Sequence, residues 1–321
     1  MSILKVSHLS TYYATRAGDN QALEDFSIEL HQGEMLGLIG ESGCGKSTAG
    51  YSILNEIQFP GKIVSGCVEL DGVDIMKLSP EEHRKVLWKD IAMIPQSAMN
   101  ALNPVYKIGH QIVEAILLHF PEMSKADAEA KTRALLRQVG MDEKWFNAYP
   151  HKLSGGMKQR AIIAMALSCD PKVIISDEST TGLDVLIQAQ ILQLLKQLQK
   201  ERQLTIIVIS HDLHMVLSIC DRIGVMYAGK LVELAESEEI ARNQLHPYTR
   251  ALFASKIDVE DFDRTVESID GVVPKLINPE DRCRFYNRCT ARDGCCQGPS
   301  PAMQEVSPGH FVSCYKRGGQ K

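Results

Sequence analysis

The strongest constraint on this chain is the segment Gly40-Glu41-Ser42-Gly43-Cys44-Gly45-Lys46-Ser47-Thr48. It fits the pattern G-x-x-x-x-G-K-[ST]. The apolar run Met35–Ile39 precedes it, with the length and flanks of a buried parallel strand. A helix-compatible stretch follows, so the pattern sits where a phosphate-binding turn must sit, between strand and helix. Glycines let the backbone wrap closely around a triphosphate, and exposed N–H groups at a helix N-terminus supply positive potential. Lys46 can reach β- and γ-phosphates, and the Ser47 hydroxyl can ligate Mg²⁺.

The chain has 321 residues, enough for one large domain with an appendage, or for two. With 44% hydrophobic residues it can fill a core, and a net charge of −5 gives no reason to expect nucleic-acid binding. No apolar run approaches the ~20 residues of a membrane span. The N-terminus lacks a signal-peptide layout, which predicts a cytosolic chain, free or docked on a membrane protein. Cys44, Cys67, Cys169 and Cys220 are scattered, whereas Cys283, Cys289, Cys295, Cys296 and Cys314 crowd near the C-terminus. In a reducing compartment such crowding suggests metal rather than disulfides.

Residues 4 to 33 alternate apolar and polar in places, as antiparallel strands do. A strand and turn are predicted at Cys67–Gly72, and a short buried strand at Ile91–Ile94. From about 105 to 150 the pattern turns helical. Parallel β-α-β character then returns, with core strands at 172–177 and 205–210. A helix at about 185–201 lies between them, carrying Ile187, Ile191, Leu194, Leu195 and Leu198 on one face. This order predicts an α/β fold with a mostly parallel sheet. After about 255 the composition shifts. Residues 258–263 are acidic, and Gly271 begins a stretch rich in Pro, Arg and Cys with little apolar content. Such a segment needs a staple such as a metal.

Two further motifs carry chemistry. The strand Val173–Asp177 ends on paired carboxylates, Asp177 and Glu178, a Walker B arrangement. Asp177 would hold Mg²⁺, and Glu178 would polarise the attacking water. Leu153-Ser154-Gly155-Gly156-Met157 opens a helix. Ser154 can cap it, and the glycines leave N–H groups free for an anion.

The set of Gly40–Thr48, Gln96, Leu153–Met157, Asp177-Glu178, Leu183-Asp184 and His211 resembles the ATP-binding cassette of ABC transporters, in order and spacing, across residues 1 to about 255. Gln96–Pro104, Tyr149–Arg160, His246–Arg250 and the cysteine tail are similar to the dipeptide/oligopeptide importer branch. The resemblance implies a P-loop ABC ATPase fold: a mostly parallel sheet core, an N-terminal antiparallel β part, and a helical subdomain at about 97–165. The cassette would span 1–255, and a small Cys-rich regulatory or metal-cluster region would span 256–321. It implies that Gly40, Ser42, Gly43, Cys44, Gly45, Lys46, Ser47 and Thr48 bind ATP, and that Ser47, Gln96 and Asp177 hold Mg²⁺. Glu178, Gln96 and His211 would be catalytic. Tyr13 would stack on adenine, with Tyr12 as its competitor. Ser154, Gly155 and Gly156 would cover the γ-phosphate of ATP held by a second cassette, and Asp184 would lie across that dimer interface. Cys44, Ser179 and Gly182 depart from the usual wording, where Ser, Pro and Ala are common. Cys44 is expected to matter little, the other two to loosen their loop.

The implied partners are a second ATPase subunit, in a heterodimer, two membrane permeases and an extracytoplasmic solute-binding protein, with the chain peripheral on the cytoplasmic face of the membrane. No nucleic acid is implied. The solute is a di- or oligopeptide or similar; the alternative is an oligosaccharide. A DNA-repair or ribosome-class ATPase would show long coiled-coil insertions or two cassettes, and neither is present. A metal-binding regulatory module with an incidental ATPase is the other rival. In the tail, spacing alone leans to a Cys₄ zinc site, although no paired C-x₂-C knuckle occurs. The resemblance points instead to a [4Fe–4S] cluster on Cys283, Cys289, Cys296 and Cys314, with Cys295 as a substitute for Cys296.

Overall fold

A computed structural model describes residues 2–96, 101–255 and 269–316. The segment 97–100 of the Gln96–Pro104 motif and the acidic run 258–263 lie outside the described residues. The chain divides into two compact units.

The first unit comprises Met1–Leu4, Leu30–Met35 and Leu70–Val208. Its strands Ile91–Ile94 and Val173–Asp177 run parallel, with Ile91 opposite Val173 and Ile94 opposite Ser176. The strand Thr205–Ile209 is the next neighbour of Val173–Asp177. Every residue of Val173–Asp177 is buried, the apolar Val173, Ile174 and Ile175 as well as the polar Ser176 and Asp177 that end it. The block read as helical forms helices Ile108–His119 and Lys125–Gln138 and a 3₁₀ turn at Glu143–Asn147. The two helices pack on each other, with Ile112, Ile116, Leu135 and Leu136 buried. Ser124 caps the second by accepting from Asp127 N–H. The helix Val185–Arg202 buries Ile191, Leu194, Leu195 and Leu198 on the predicted face. Gln203 ends it in the left-handed conformation.

The second unit comprises Lys5–Glu29, Leu36–Glu69 and Ile209–Lys321. The N-terminal antiparallel part is present: strands Gly18–His31, Ser2–Thr15 and Gly61–Leu70 lie side by side in that order. Met35–Ile39 pairs in parallel with Arg222–Tyr227, which pairs antiparallel with Lys230–Glu236. The sheet then continues into the tail. His310–Val312 pairs antiparallel with Lys230–Glu236, placing Val312 opposite Glu233, and Gln304–Ser307 follows as the edge.

The tail therefore has a source of order besides any staple its cysteines hold. Backbone pairing needs no apolar composition, and the tail uses it twice. The second use is at Asn20 and Ile277, where Gln21 N–H donates to Leu276 O at 2.9 Å. One aromatic side chain adds to it. Phe285 is buried against Tyr227, Tyr248 and His246, with ring centroids 5.2, 5.4 and 5.9 Å away.

Candidate functional site

The phosphate-binding loop takes its shape from its glycines. Gly40 has φ 151°, and a Cβ there would lie 2.2 Å from the carbonyl oxygen of Met226. Gly45 has φ 101°, and a Cβ there would lie 2.4 Å from Ala22 O. Only glycine fits either position. Gly45 is also the N-cap of helix Lys46–Ile53 and makes no side-chain cap, so the helix N-terminus opens directly onto the loop. Lys46 is buried, and its ammonium donates to the carbonyls of Gly40 at 2.9 Å and Glu41 at 3.1 Å. The cation is thereby held over the loop. Cys44 is more than a backbone position: its sulfur is buried 3.7 Å from Lys46 Nζ, and burial pushes the thiol pKa up. Ser42 and Gly43 are exposed, and Ser47 and Thr48 half-buried.

His211 follows the strand Thr205–Ile209 and lines a cleft of about 270 Å³ together with Gly40, Glu41 and Ser42. The next residue, Asp212, caps helix Leu213–Ile219 by accepting from Met215 N–H at 3.1 Å. Of the two candidate aromatics, Tyr12 is committed: its hydroxyl donates to Glu24, and burial followed by that bond pushes its pKa up to about 12. The Tyr13 ring lies against Gly61, where a Cβ would be 2.7 Å from it.

In the first unit, Asp177 ends its strand fully buried, and Glu178 follows with φ 42°, an uncommon conformation for a residue with a Cβ. The turn aims the Glu178 carboxylate at Gln96, whose Nε2 donates to it at 2.8 Å; Thr181 Oγ1 donates at 3.4 Å. Two residues chosen from separate motifs are thus brought together. The loop after them is tied rather than loose. Ser179 and Ser176 share a hydrogen bond at 2.7 Å, Thr181 N–H donates to Glu178 O, and Gly182 sits at φ 81°, where glycine is at ease.

Ser154 caps helix Gly155–Ala166, accepting from Met157 N–H at 3.4 Å. A Cβ on Gly156 would lie 2.7 Å from Ile187, so packing against helix Val185–Arg202 gives this glycine a reason besides anion binding. Asp184 caps that helix, accepting from Ile187 N–H at 3.0 Å, and the Val185 and Leu186 beside it are 72% and 68% exposed.

Cys283, Cys289, Cys296 and Cys314 line one small pocket, floored by Phe285; Cys295 is exposed outside it. Burial, with the neighbouring thiols adding to it, pushes Cys283 up to about 11. Four thiols converging from separate turns are a soft donor set for iron or zinc. Among the described residues, the three ligand atoms that lie within 4.8 Å of one another belong to Asp293, Cys295 and Cys296 instead. One tetrahedral zinc draws its sulfurs to about 3.8 Å from one another, given a Zn–S bond of about 2.3 Å.

Sequence reasoning missed the groups that brace the loop from behind. Arg288 grips the Glu41 carboxylate through both oxygens, at 2.7 and 3.1 Å, and Glu41 N–H donates to Tyr248 Oη at 3.0 Å. Arg288 adjoins Cys289, but no local pattern announces a partner 247 residues away.

Residues 23–181 match the ABC transporter family, and residues 232–296 match the oligopeptide/dipeptide transporter C-terminal region. A probable peptide ABC transporter ATP-binding protein, y4tR of Sinorhizobium fredii, is 42% identical over 98% of this chain and 95% of its own length. The dipeptide transport ATP-binding protein DppD of Bacillus subtilis is 39% identical over 98% and 94%. Among solved structures, the dimeric ATP-binding cassette MJ0796 bound to ADP and Pi superposes with a TM-score of 0.65 at 26% identity, over 73% of this chain and 98% of that one. The fold and its phosphate-binding loop are those of an ATP-binding cassette. The chain belongs to the ATP-binding subunits of the dipeptide/oligopeptide ABC importer family. It is an ATPase, with ATP and Mg²⁺ as the ligands expected of that family.

Proposed function

We propose that this chain hydrolyses ATP to drive uptake of di- or oligopeptides through partner permeases. The observation that carries the reading is the phosphate-binding loop, closed to any Cβ at Gly40 and Gly45 and set under the Lys46 ammonium. Gly40, Ser42, Gly43, Cys44, Gly45, Lys46, Ser47 and Thr48 wrap the phosphates, and Tyr13, left available by the tie between Tyr12 and Glu24, stacks on adenine. Ser47, Gln96 and Asp177 are the residues that would hold Mg²⁺, which would neutralise charge on the phosphates. Glu178, oriented by the Gln96 amide, takes a proton from water as its oxygen forms a bond to the γ-phosphorus. The bond from that phosphorus to the bridging oxygen breaks, and ADP leaves with the oxygen. His211 contacts the γ-phosphate.

Ser154, Gly155 and Gly156 serve the nucleotide of a second, related cassette in a heterodimer, and the exposed Val185 and Leu186 beside Asp184 offer it apolar area. Val105 and Leu118, 70% and 73% exposed on the helical block, offer area to the permeases, to which an extracytoplasmic binding protein delivers peptide. Among the described residues no helix is long and apolar enough to cross a membrane. The chain works from the cytoplasmic face as a peripheral subunit. Cys283, Cys289, Cys296 and Cys314 would hold a [4Fe–4S] cluster, which would add to the order of the tail. Iron and sulfide analysis of anaerobically purified protein tests this, and zinc alone would refute it.

The decisive experiment is Glu178→Gln in the assembled transporter, assayed with peptide-loaded binding protein. Hydrolysis is expected to fall ~10²–10⁴-fold with ATP still bound. Near wild-type turnover would overturn the role of Glu178, and ATPase indifferent to peptide would overturn the substrate.

A further inference from the structure

The cysteine-bearing segment of the tail is built into the back of the phosphate-binding loop. Between Cys283 and Cys289 lie Arg284, Phe285 and Arg288, and each reaches the loop by a different route. Arg288 makes a two-pronged, charge-assisted pair with Glu41, and its Nη1 donates to Tyr227 Oη at 3.3 Å. Its side chain is only 6% exposed, so this pair is shielded from water and salt as a surface pair is not. Its Nε and Nη2 donate to the carbonyls of Asp270 and Ile269, which fix the fork. Phe285 packs edge-on against Tyr248, whose hydroxyl accepts from Glu41 N–H. Arg284 donates to Ala228 O and, at 2.7 Å, to Gln21 Oε1; the adjoining Gly229 N–H donates to Cys44 O at 2.9 Å. The loop is therefore braced at Glu41 and at Cys44 by one short segment, and both ends of that segment are pocket cysteines.

Glu41 directly follows Gly40, in a loop that takes a polyphosphate. An unpaired carboxylate there would repel the ligand, and the Arg288 guanidinium cancels it. We propose that Arg288 is a positioning residue for the phosphate-binding loop, through which nucleotide binding and the integrity of the four-cysteine pocket are coupled. The inference rests on the reading of the loop as the nucleotide site. Coupling of this kind is reciprocal: whatever opens the pocket weakens nucleotide binding, and nucleotide protects the pocket by the same factor.

The test uses the full chain. ATP affinity is measured by titration calorimetry. The rate at which N-ethylmaleimide alkylates Cys283, Cys289, Cys296 and Cys314 is followed by mass spectrometry, with and without Mg-ATP. That rate reports how often the pocket opens, whatever it holds. ATP is expected to slow alkylation of these four about 5–150-fold while leaving the exposed Cys295 unchanged. Arg288→Ala is expected to weaken ATP binding by a similar factor and to abolish the protection. Adding Glu41→Gln to it should recover affinity, by removing the bare carboxylate, without recovering protection. If Arg288→Ala does not fold, the single Glu41→Gln variant loses the charge of the pair and should lose protection too. A wild-type chain that binds ATP but is alkylated equally with and without it overturns the inference and leaves the loop reading intact. A wild-type chain that binds no ATP overturns both. Arg288→Ala with wild-type affinity and protection overturns the role of Arg288.

Discussion

In the phosphate-binding loop, conformation is fixed by what is missing: no Cβ fits at Gly40 or Gly45, and the chain turns on bare backbone against Met226 O and Ala22 O. Around the cysteine pocket, conformation is fixed by what is present: a buried phenyl ring, two arginine forks and a short strand laid on an existing sheet edge. The first is a local solution, written within nine consecutive residues. The second is assembled from groups far apart in the chain. A local solution fails at a single residue, and an assembled one fails in stages.

That difference sets the largest expected stability effect. Phe285→Ala removes the apolar plug that the tail shares with Tyr227 and Tyr248, and should cost about 3–5 kcal/mol. Hydrogen exchange is expected to show the loss concentrated in residues 283–316, with the strand Met35–Ile39 protected as before. Global unfolding at the same denaturant concentration for both regions would break the comparison. Gly40→Ala forces a Cβ against a backbone oxygen and places a non-glycine residue at a disfavoured φ. About 1–3 kcal/mol is expected, read as a 5–150-fold loss of ATP affinity at this loop. Alkylation of the tail thiols in the absence of nucleotide should hardly change, because the pocket does not depend on the loop's glycines.

The two regions also differ in how far they were legible. Gly40–Thr48, the strand before it and the helix after it are contiguous, so pattern and geometry coincide. Asp177 and Glu178 were equally plain, and so was the capping by Ser154, since cap chemistry is decided within three residues; the cap made by Asp184 was not read from the sequence. The bond from Gln96 to Glu178 was not legible as a bond, because it joins residues 82 apart whose approach depends on the parallel pairing of Ile91–Ile94 with Val173–Asp177. The contacts of the tail were hidden for the same reason. Composition registers apolar content, and residues 269–316 have little of it. It does not register that Phe311 and Val312 lie opposite Leu234 and Glu233, or that Arg288 has Glu41 for a partner. Ser179 was read as a loosening departure because proline's rigidity is visible in a sequence and a hydroxyl bond to Ser176 is not.

The smallest effect concerns the other clamp on the tail, and it carries a pH signature. His310, buried on its tail strand, pairs through Nε2 with the buried Glu233 at 2.8 Å and through Nδ1 with Glu239 at 3.3 Å. Glu233 also accepts from the N–H groups of Leu245 and His246, so it is anchored independently of the imidazole. Burial opposes charge on His310, but the bonds and charges of the two glutamates outweigh it, and the pKa lies above the ordinary histidine value. A raised pKa in the folded chain means that protonation favours folding. This contribution is complete below the unfolded value of about 6.5, and it fades as pH rises through the folded value. His310→Gln keeps a donor but cannot carry the charge. The difference in melting temperature between wild type and His310→Gln should be greatest near pH 6 and shrink above neutrality, at about 2–4 °C for each kcal/mol. A difference that grew with rising pH would show that the neutral imidazole is the form the tail holds. The clamp would then be an ordinary hydrogen bond, and the tail would owe its place to Phe285, the arginine forks and the strand alone.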